Sequence, residues 1–205
     1  MEHAFCCQAM GHGNLHHSVK MATYKALRQI ARHIGDDALL EPSVSGYMRD
    51  IPQNRNNNGS QVQRRGDVAV YNVVEKNKIM IDVRTCAMTS AVSGASAVAR
   101  GDVDKREYYT KVCNFPDSVR LVPFAIDTYG RWGDEFSGFL QEYCRRASRG
   151  NKPFYNLLIT RARNMIQAAH ASSVGMVVRR SMDRCISDAD RILLASRGSG
   201  SRDAG

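Results

Sequence analysis

The chain has 205 residues, 43% of them hydrophobic, and a net charge of +9 at pH 7; this length supports one domain with a buried core. No apolar run approaches the ~20 residues that cross a bilayer and no secretory signal pattern opens the chain, so we expect neither a membrane protein nor a secreted one. The positive charge favours contact with nucleic acid, although a solvated basic surface is the common alternative.

The N-terminal part of the chain predicts a helix, a strand and a loop. Residues 1–17 are rich in Cys, His and Gly and show no periodicity. Residues 18–34 carry apolar side chains on one helical face, and residues 38–41 predict a short strand. The polar, Asn-rich segment 51–63 has no apolar anchors and predicts a flexible loop.

The middle of the chain predicts a hairpin, a helix and a further strand. Residues 67–74 and 78–86 are apolar runs separated by a tight polar turn, which is typical of a β-hairpin. Residues 102–112 predict a helix, and residues 119–128 predict a buried strand. Pro123 within that strand indicates an edge position or a local irregularity, because proline cannot donate to a neighbouring strand.

The remainder predicts helices and a flexible end. A helix follows Asp134, residues 153–170 and 182–195 predict two more, and the Ser/Gly-rich end predicts disorder. The order of elements gives an α/β or α+β domain with a mixed sheet.

An acidic pair carries the functional hypothesis. Asp67 opens one strand of the predicted hairpin and Asp82 lies inside the other, so the two carboxylates can face each other. Mg²⁺ commonly takes one or two carboxylates together with water and substrate phosphate. Lys105 can add positive charge, and Glu41 is a candidate outer or third ligand. We therefore expect these four residues to form a catalytic site, with Asp67 and Asp82 binding the metal.

A structural role for the same acids is the alternative. A carboxylate buried in an apolar strand needs a partner, and Asp82 could find one in Arg84 or Arg64. Asp67 could simply be a residue that begins a strand.

Order and spacing between residues 3 and 148 match a recognisable pattern, carried by His3, Cys7, Gly11, His16, His17, Gly35, Glu41, Pro42, Asp67, Asp82, Lys105, Tyr109 and the segment 122–130. This pattern resembles the restriction-like endonuclease domain of non-LTR retrotransposon polyproteins, a member of the PD-(D/E)XK nuclease superfamily. The resemblance implies a restriction-endonuclease-like fold, in which a central mixed sheet is flanked by helices.

The resemblance also implies roles for individual residues. Asp67 and Asp82 match the two metal-binding acids, and Lys105 matches a catalytic lysine displaced onto the following helix. Arg84 stands where other members of the superfamily place that lysine. The chain departs from the family in having Gly66 in place of a proline, and His16 in place of an arginine.

The N-terminal Cys/His cluster matches half of a zinc knuckle. A closed zinc site needs four ligands, whereas the chain contains no C-x-x-C pair. We therefore expect a partial site at most, with His3 and Cys7 as its ligands. The six cysteines are otherwise scattered in a way that indicates free thiols in a reducing compartment.

Arginines dominate the C-terminal third, where residues 145–197 hold eleven Lys or Arg against three acids. Clustered positive charge gives salt-sensitive affinity for phosphates, although a solvated helix face is the better guess for any single arginine. The predicted nucleic-acid contacts are Arg64, Arg65, Arg84, Arg145, Arg146, Arg149, Lys152, Arg161 and Arg163.

Together these features predict four regions: a zinc-knuckle-like remnant at 1–17, an endonuclease domain at 18–148, a basic helical extension at 149–196 and a disordered tail at 197–205. The predicted function is Mg²⁺- or Mn²⁺-dependent cleavage of double-stranded DNA by a retroelement enzyme. The alternative is a catalytically inactive module that binds nucleic acid, and RNA is a second candidate partner. By resemblance we expect a nuclear location and a polymerase domain in a parent polyprotein.

Overall fold

A mixed sheet flanked by helices organises the chain, whose computed structural model describes residues 12–52, 55–60, 64–86 and 94–199. Within these ranges the sheet has four strands, in the order β1-β2-β3-β4. The elements in chain order are helix α1 (His12–Ala31), strand β1 (Asp37–Leu40), a short 3-10 helix (Ser45–Tyr47), strand β2 (Val68–Asn72), strand β3 (Asn77–Cys86), helix α2 (Gly94–Val112), strand β4 (Val119–Asp127), helix α3 (Asp134–Ser148) and helix α4 (Lys152–Ser199).

The register of the sheet brings the two predicted acids together. Strands β1, β2 and β3 are antiparallel neighbours, and β4 runs parallel to β3 at the edge. Val68 pairs with Ile81 across the β2–β3 hairpin. Continuing this register by one residue places Asp67 opposite Asp82.

The two faces of the sheet bury different helices, because successive strand residues point in opposite directions. Phe124 stacks on Phe136 of α3 at a centroid distance of 3.9 Å. It belongs to the large apolar core that α1, α3 and α4 form on this face. Ala125, the next residue, instead packs with Val98 of α2 on the opposite face. The same alternation along β3 points Asp82 towards α2.

Helix α2 lies unusually close to the sheet at Gly101. A Cβ atom added there would lie 2.7 Å from Cys86 Sγ and 2.9 Å from Ala125 Cβ. Real Cβ contacts essentially never come this close, so glycine is what permits the approach. Because Lys105 lies one helical turn further along α2, this contact also sets how far the lysine reaches over β3.

Several expectations from sequence are confirmed. The β2–β3 hairpin and the short β1 strand form as predicted. Pro123 lies in β4, which pairs with β3 at the edge of the described sheet. In the segment predicted as a flexible loop, residues 51–52 and 55–60 are described, and Arg55 donates to Asp50 through two nitrogens; its flexibility stays a prediction.

Helix boundaries differ from the predicted ones. Helix α1 is already formed at His12 and ends at Ala31, because Leu15 is buried in the core and extends the apolar face beyond the predicted start at residue 18. The two helices predicted for 153–170 and 182–195 are one continuous helix, α4. Ser173 and Val177, in the segment predicted to interrupt the helices, are buried.

Other predictions concern the ends of the chain. Helix α4 reaches Ser199, so it extends past the predicted start of the tail at residue 197. Residues 200–205, and the N-terminal cluster with His3 and Cys7, lie outside the described residues. Among the residues that are described, no helix combines the length and apolar character needed to cross a membrane.

The close approach at Gly101 predicts a specific sensitivity. Gly101→Ala should lower the free energy of unfolding by about 1–3 kcal/mol, because its methyl group must push α2 away from β3 and β4. Gly138→Ala is the matched control, because Gly138 lies on α3 with no atom within 4 Å of an added Cβ. It should stabilise the protein by roughly 0.5–1 kcal/mol through helix propensity. Urea unfolding measures both, and an equal effect of the two changes would contradict the close packing.

Candidate active site

Asp67 is held by donors from two separate elements. Its side chain is buried just before β2, and the Val83 backbone N–H of β3 donates to Oδ2 at 2.8 Å. His16 Nε2, on α1, lies 3.0 Å from Oδ1. Both carboxylate oxygens are therefore fixed in direction by the surrounding protein.

Asp82 and Lys105 form the second half of the site. Asp82 is 5% exposed, and its Oδ2 lies 2.5 Å from Lys105 Nζ. The lysine projects from α2 onto the face of β3 that carries Asp82. The structure thus brings Asp67, Asp82 and Lys105 together, as the sequence pattern predicts. The alternative pairing of Asp82 with Arg84 or Arg64 is not found, because Lys105 takes that place.

The electrostatics of the two acids diverge. Burial raises the pKa of Asp82 to about 6, with a further contribution from the charge of Asp67, while Lys105 opposes the rise. Burial also disfavours the charge on Asp67, but the hydrogen bond and charge of His16, together with hydrogen bonds from Asp82 and the Val83 N–H, lower the pKa of Asp67. At neutral pH the site therefore presents two adjacent carboxylates.

The backbone of Glu41 lies next to Asp67, but its side chain points to other partners. Its N–H donates to the Asp67 carbonyl at 2.9 Å, so the two residues are neighbours. Its carboxylate instead lies 2.6 Å from Lys20 Nζ and 3.5 Å from an Arg65 nitrogen. The structure therefore places Glu41 at the margin of the site, where its carboxylate pairs with the side chains of Lys20 and Arg65.

A cleft of about 720 Å³ is lined by Asp82 and Lys105, whereas Asp67, opposite Asp82 in the strand register, is not part of its lining. Among the described residues, three arginines line this cleft, and they differ in their partners and in their exposure. Arg64 contacts the Tyr108 hydroxyl and stacks over its ring at 5.4 Å. Arg84, in the position resembling the superfamily lysine, pairs with Asp104 at 2.8 Å and does not neutralise Asp82. The Arg65 side chain is 63% exposed, which leaves it the most available to a ligand.

The predicted C-terminal contacts lie elsewhere on the molecule. Arg146 pairs with Asp36, which precedes β1 at the end of the sheet opposite the acid pair, about 15 Å away along β2. Arg145 and Lys152 line a small cavity near that end. Arg149 follows the last residue of α3 and has the left-handed conformation. Arg161 and Arg163 are exposed on α4, and Arg163 lies over the Trp132 ring at 5.9 Å.

His16 is the site residue that sequence reasoning did not select. Its side chain is one-third exposed, lines the cleft and contacts Asp67 across 51 positions of sequence. The one signal was its departure from the family pattern at the His16–His17 pair, which does not specify a contact.

The donor set fits a hard divalent cation. Two buried carboxylates side by side repel each other, and Lys105 and His16 offset that repulsion in this structure. Oxygen ligands of this kind suit Mg²⁺ or Mn²⁺, which complete their coordination with water and substrate. No group of three or more His, Cys, Asp or Glu side chains arranged for a metal occurs among the described residues. A cation here would therefore depend on Asp67 and Asp82.

Comparison with known proteins supplies no family. No protein-family model matches the sequence, and no curated protein shows significant similarity to it. A function is therefore inferred from the geometry and chemistry of the site.

The Asp82–Lys105 pair predicts a pH-dependent role in stability. Folding raises the pKa of Asp82 from 3.8 to about 6, so its protonation stabilises the folded protein at low pH, and that contribution is lost as the pH rises through about 6. Lys105→Met should therefore cost little at pH 5, where Asp82 is largely protonated. At pH 8 it should cost about 3 kcal/mol, because it leaves a buried carboxylate unpaired.

Urea unfolding at the two pH values measures this difference. Lys111→Met is the control, because that lysine lies on the same helix with 74% of its side chain exposed. It should change stability little at either pH. A pH-independent loss in Lys105→Met would contradict the ion pair.

Proposed function

We propose that this protein is a metal-dependent phosphodiesterase that cleaves DNA, an endonuclease of the type its motif order resembles. The observation that supports this proposal is the convergence of Asp82 and Lys105 in one cleft, where Lys105 Nζ lies 2.5 Å from Asp82 Oδ2, with Asp67 opposite Asp82 in the strand register. The described sheet, mixed and flanked by helices, is compatible with the restriction-endonuclease-like fold that the resemblance implies.

The chain's own residues would divide the work. Asp67 and Asp82 hold the cation, which when bound supplies Lewis-acid stabilisation of the negative charge developing on the scissile phosphate. An ammonium group has three N–H donors. Lys105 can therefore keep its contact with Asp82 while it donates to a phosphate oxygen or to the attacking water. Positioning and electrostatics of this kind account for most of the catalysis of phosphodiester cleavage.

The arginines that line the cleft would hold the neighbouring backbone phosphates. Arg65 and Arg84 lie beside the acids, and their guanidinium groups match phosphate oxygens in geometry. Charged side chains make up most of the described lining of the cleft, so we propose binding that depends on charge and backbone shape. Double-stranded DNA is the proposed substrate, and RNA is the alternative to be tested beside it.

One observation favours a second function, a binding module without catalysis. Lys105 already forms an ion pair with Asp82, and both oxygens of Asp67 already accept hydrogen bonds, so the charge of the acid pair has partners without a cation. Such a protein would bind nucleic acid through its basic surface and leave it intact.

A nicking assay on supercoiled plasmid separates the two functions. With Mg²⁺ or Mn²⁺ the wild-type protein should convert plasmid to the nicked form, and Asp82→Asn should reduce the rate at least 100-fold, because one of the two cation ligands loses its charge. DNA binding, followed by fluorescence anisotropy, should survive. Binding without cleavage by the wild type would sink the enzymatic proposal.

Asp102→Asn is a closely matched control for Asp82→Asn. Asp102 is 6% exposed, against 5% for Asp82, and burial raises its pKa to about 6 as well. It lies on α2 outside the cleft and accepts the Ala125 N–H at 2.9 Å, which an asparagine oxygen can also accept. The Asp102→Asn variant should therefore nick DNA at the wild-type rate.

The salt dependence of binding should identify the surface that holds DNA. Each phosphate contact contributes about one to the slope of log affinity against log salt. The double variant Arg65→Ala, Arg84→Ala should lower that slope by about 2. The variant Arg145→Ala, Arg149→Ala, at the opposite end of the sheet, should leave it unchanged. A reversed result would move the DNA-binding surface away from the cleft.

A further inference from the structure

Helix α1 contributes one histidine, His16, to the site formed by Asp67, Asp82 and Lys105. Its first described turns are anchored by Leu15 and Val19, which are 2% and 0% exposed in the core. That packing directs His16 towards the strand ends, where its Nε2 lies 3.0 Å from Asp67 Oδ1. The neighbouring His17 is exposed to solvent.

The contact belongs to a larger clamp between α1 and the segments around the acids. Lys20, one helical turn after His16, lies 2.6 Å from Glu41. The Glu41 N–H in turn donates to the Asp67 carbonyl. His16 and Lys20, four residues apart on α1, therefore contact the neighbouring acids Asp67 and Glu41. Asp67, the partner of His16, is the acid that lies opposite Asp82.

The second oxygen of Asp67 is fixed independently. The Val83 N–H donates to Oδ2, while His16 Nε2–H donates to Oδ1, so the carboxylate cannot rotate without losing a bond. Each carboxylate oxygen has two lone-pair positions. One position on Oδ1 remains for a cation when the other accepts from His16.

We propose that His16 is a positioning residue of the metal site, which fixes the Asp67 carboxylate in the orientation that binds the cation. This inference rests on the proposed function, because it names a further residue of the same site. Outer partners of metal ligands typically change metal affinity or activity 10–100-fold when they are removed. Because His16 orders the Asp67 carboxylate before the cation binds, the free energy of binding is not reduced by the entropy of ordering that side chain.

Mn²⁺ alone is the probe, and its free concentration is followed by electron paramagnetic resonance during titration of the purified full chain. His16→Ala should weaken Mn²⁺ binding 10–100-fold. His16→Gln, whose amide can place an N–H near the position of Nε2, should recover most of that loss. His17→Ala, the adjacent control, should bind Mn²⁺ like the wild type.

Plasmid nicking supplies the second readout. The Mn²⁺ concentration needed for half-maximal nicking should rise in His16→Ala, while the rate at saturating Mn²⁺ falls much less. Should His16→Ala not fold in a thermal melt, His16→Leu fills the same volume without a donor and must show the same loss. Wild-type Mn²⁺ affinity in a folded variant without the donor would overturn the inference.

The two proposals can fail separately. If the wild type nicks, Asp82→Asn does not, and His16→Ala binds and nicks like the wild type, the role of His16 is wrong and the endonuclease stands. If Mn²⁺ binding depends on His16 but the wild type never nicks, the inference stands and the endonuclease falls. If the wild type does not bind Mn²⁺ at all, both fall.

Discussion

Two carboxylates placed side by side in a buried position are the constraint on which the rest of this site depends. Neither Asp67 nor Asp82 can keep its charge in such surroundings without compensation. The compensation comes from three directions: Lys105 from α2, His16 from α1, and the Val83 N–H from β3 itself. Elements remote in sequence must therefore converge on one corner of the sheet.

The convergence depends on how closely α2 packs on the sheet. Gly101 allows the helix to contact Cys86 and Ala125 at distances that a side chain would prevent. One turn later the same helix presents Lys105 to Asp82. The packing of small residues against the strands and the electrostatics of the site are thus parts of the same structural feature. A change in the packing at Gly101 should therefore alter the Lys105–Asp82 ion pair, although the two residues lie on different turns of α2.

The local part of the site was predictable from the sequence. Apolar alternation predicted a hairpin in which Asp67 and Asp82 can face each other, and the observed pairing of Val68 with Ile81 sets the register that places them opposite. Lys105 was predictable through the family resemblance, because only the spacing of known motifs connects a helix residue with a strand residue 23 positions earlier. Once α2 packs across β3, that spacing becomes a direct contact.

The remaining features depend on tertiary packing, which a pattern does not record. His16 contacts Asp67 because α1 packs against the hairpin, and no periodicity in the sequence encodes that packing. The basic C-terminal third shows the same limit, since counting charges cannot tell which end of the sheet they occupy. Arg146 lies beyond the far end of β1, bound to Asp36, whereas Arg65 lies in the cleft.

Other buried acids of the fold show what distinguishes the pair from a structural carboxylate. Asp127 is 1% exposed, and its Oδ1 accepts the backbone N–H groups of Tyr129 and Arg131, so it fixes the turn that follows β4. Asp102 has a raised pKa like that of Asp82, but it accepts a backbone N–H and joins α2 to β4. Burial and a raised pKa alone therefore do not define a site. Asp67 and Asp82 differ because they lie opposite each other, and because Asp82 lines a cleft that also contains Arg64, Arg65, Arg84 and Lys105.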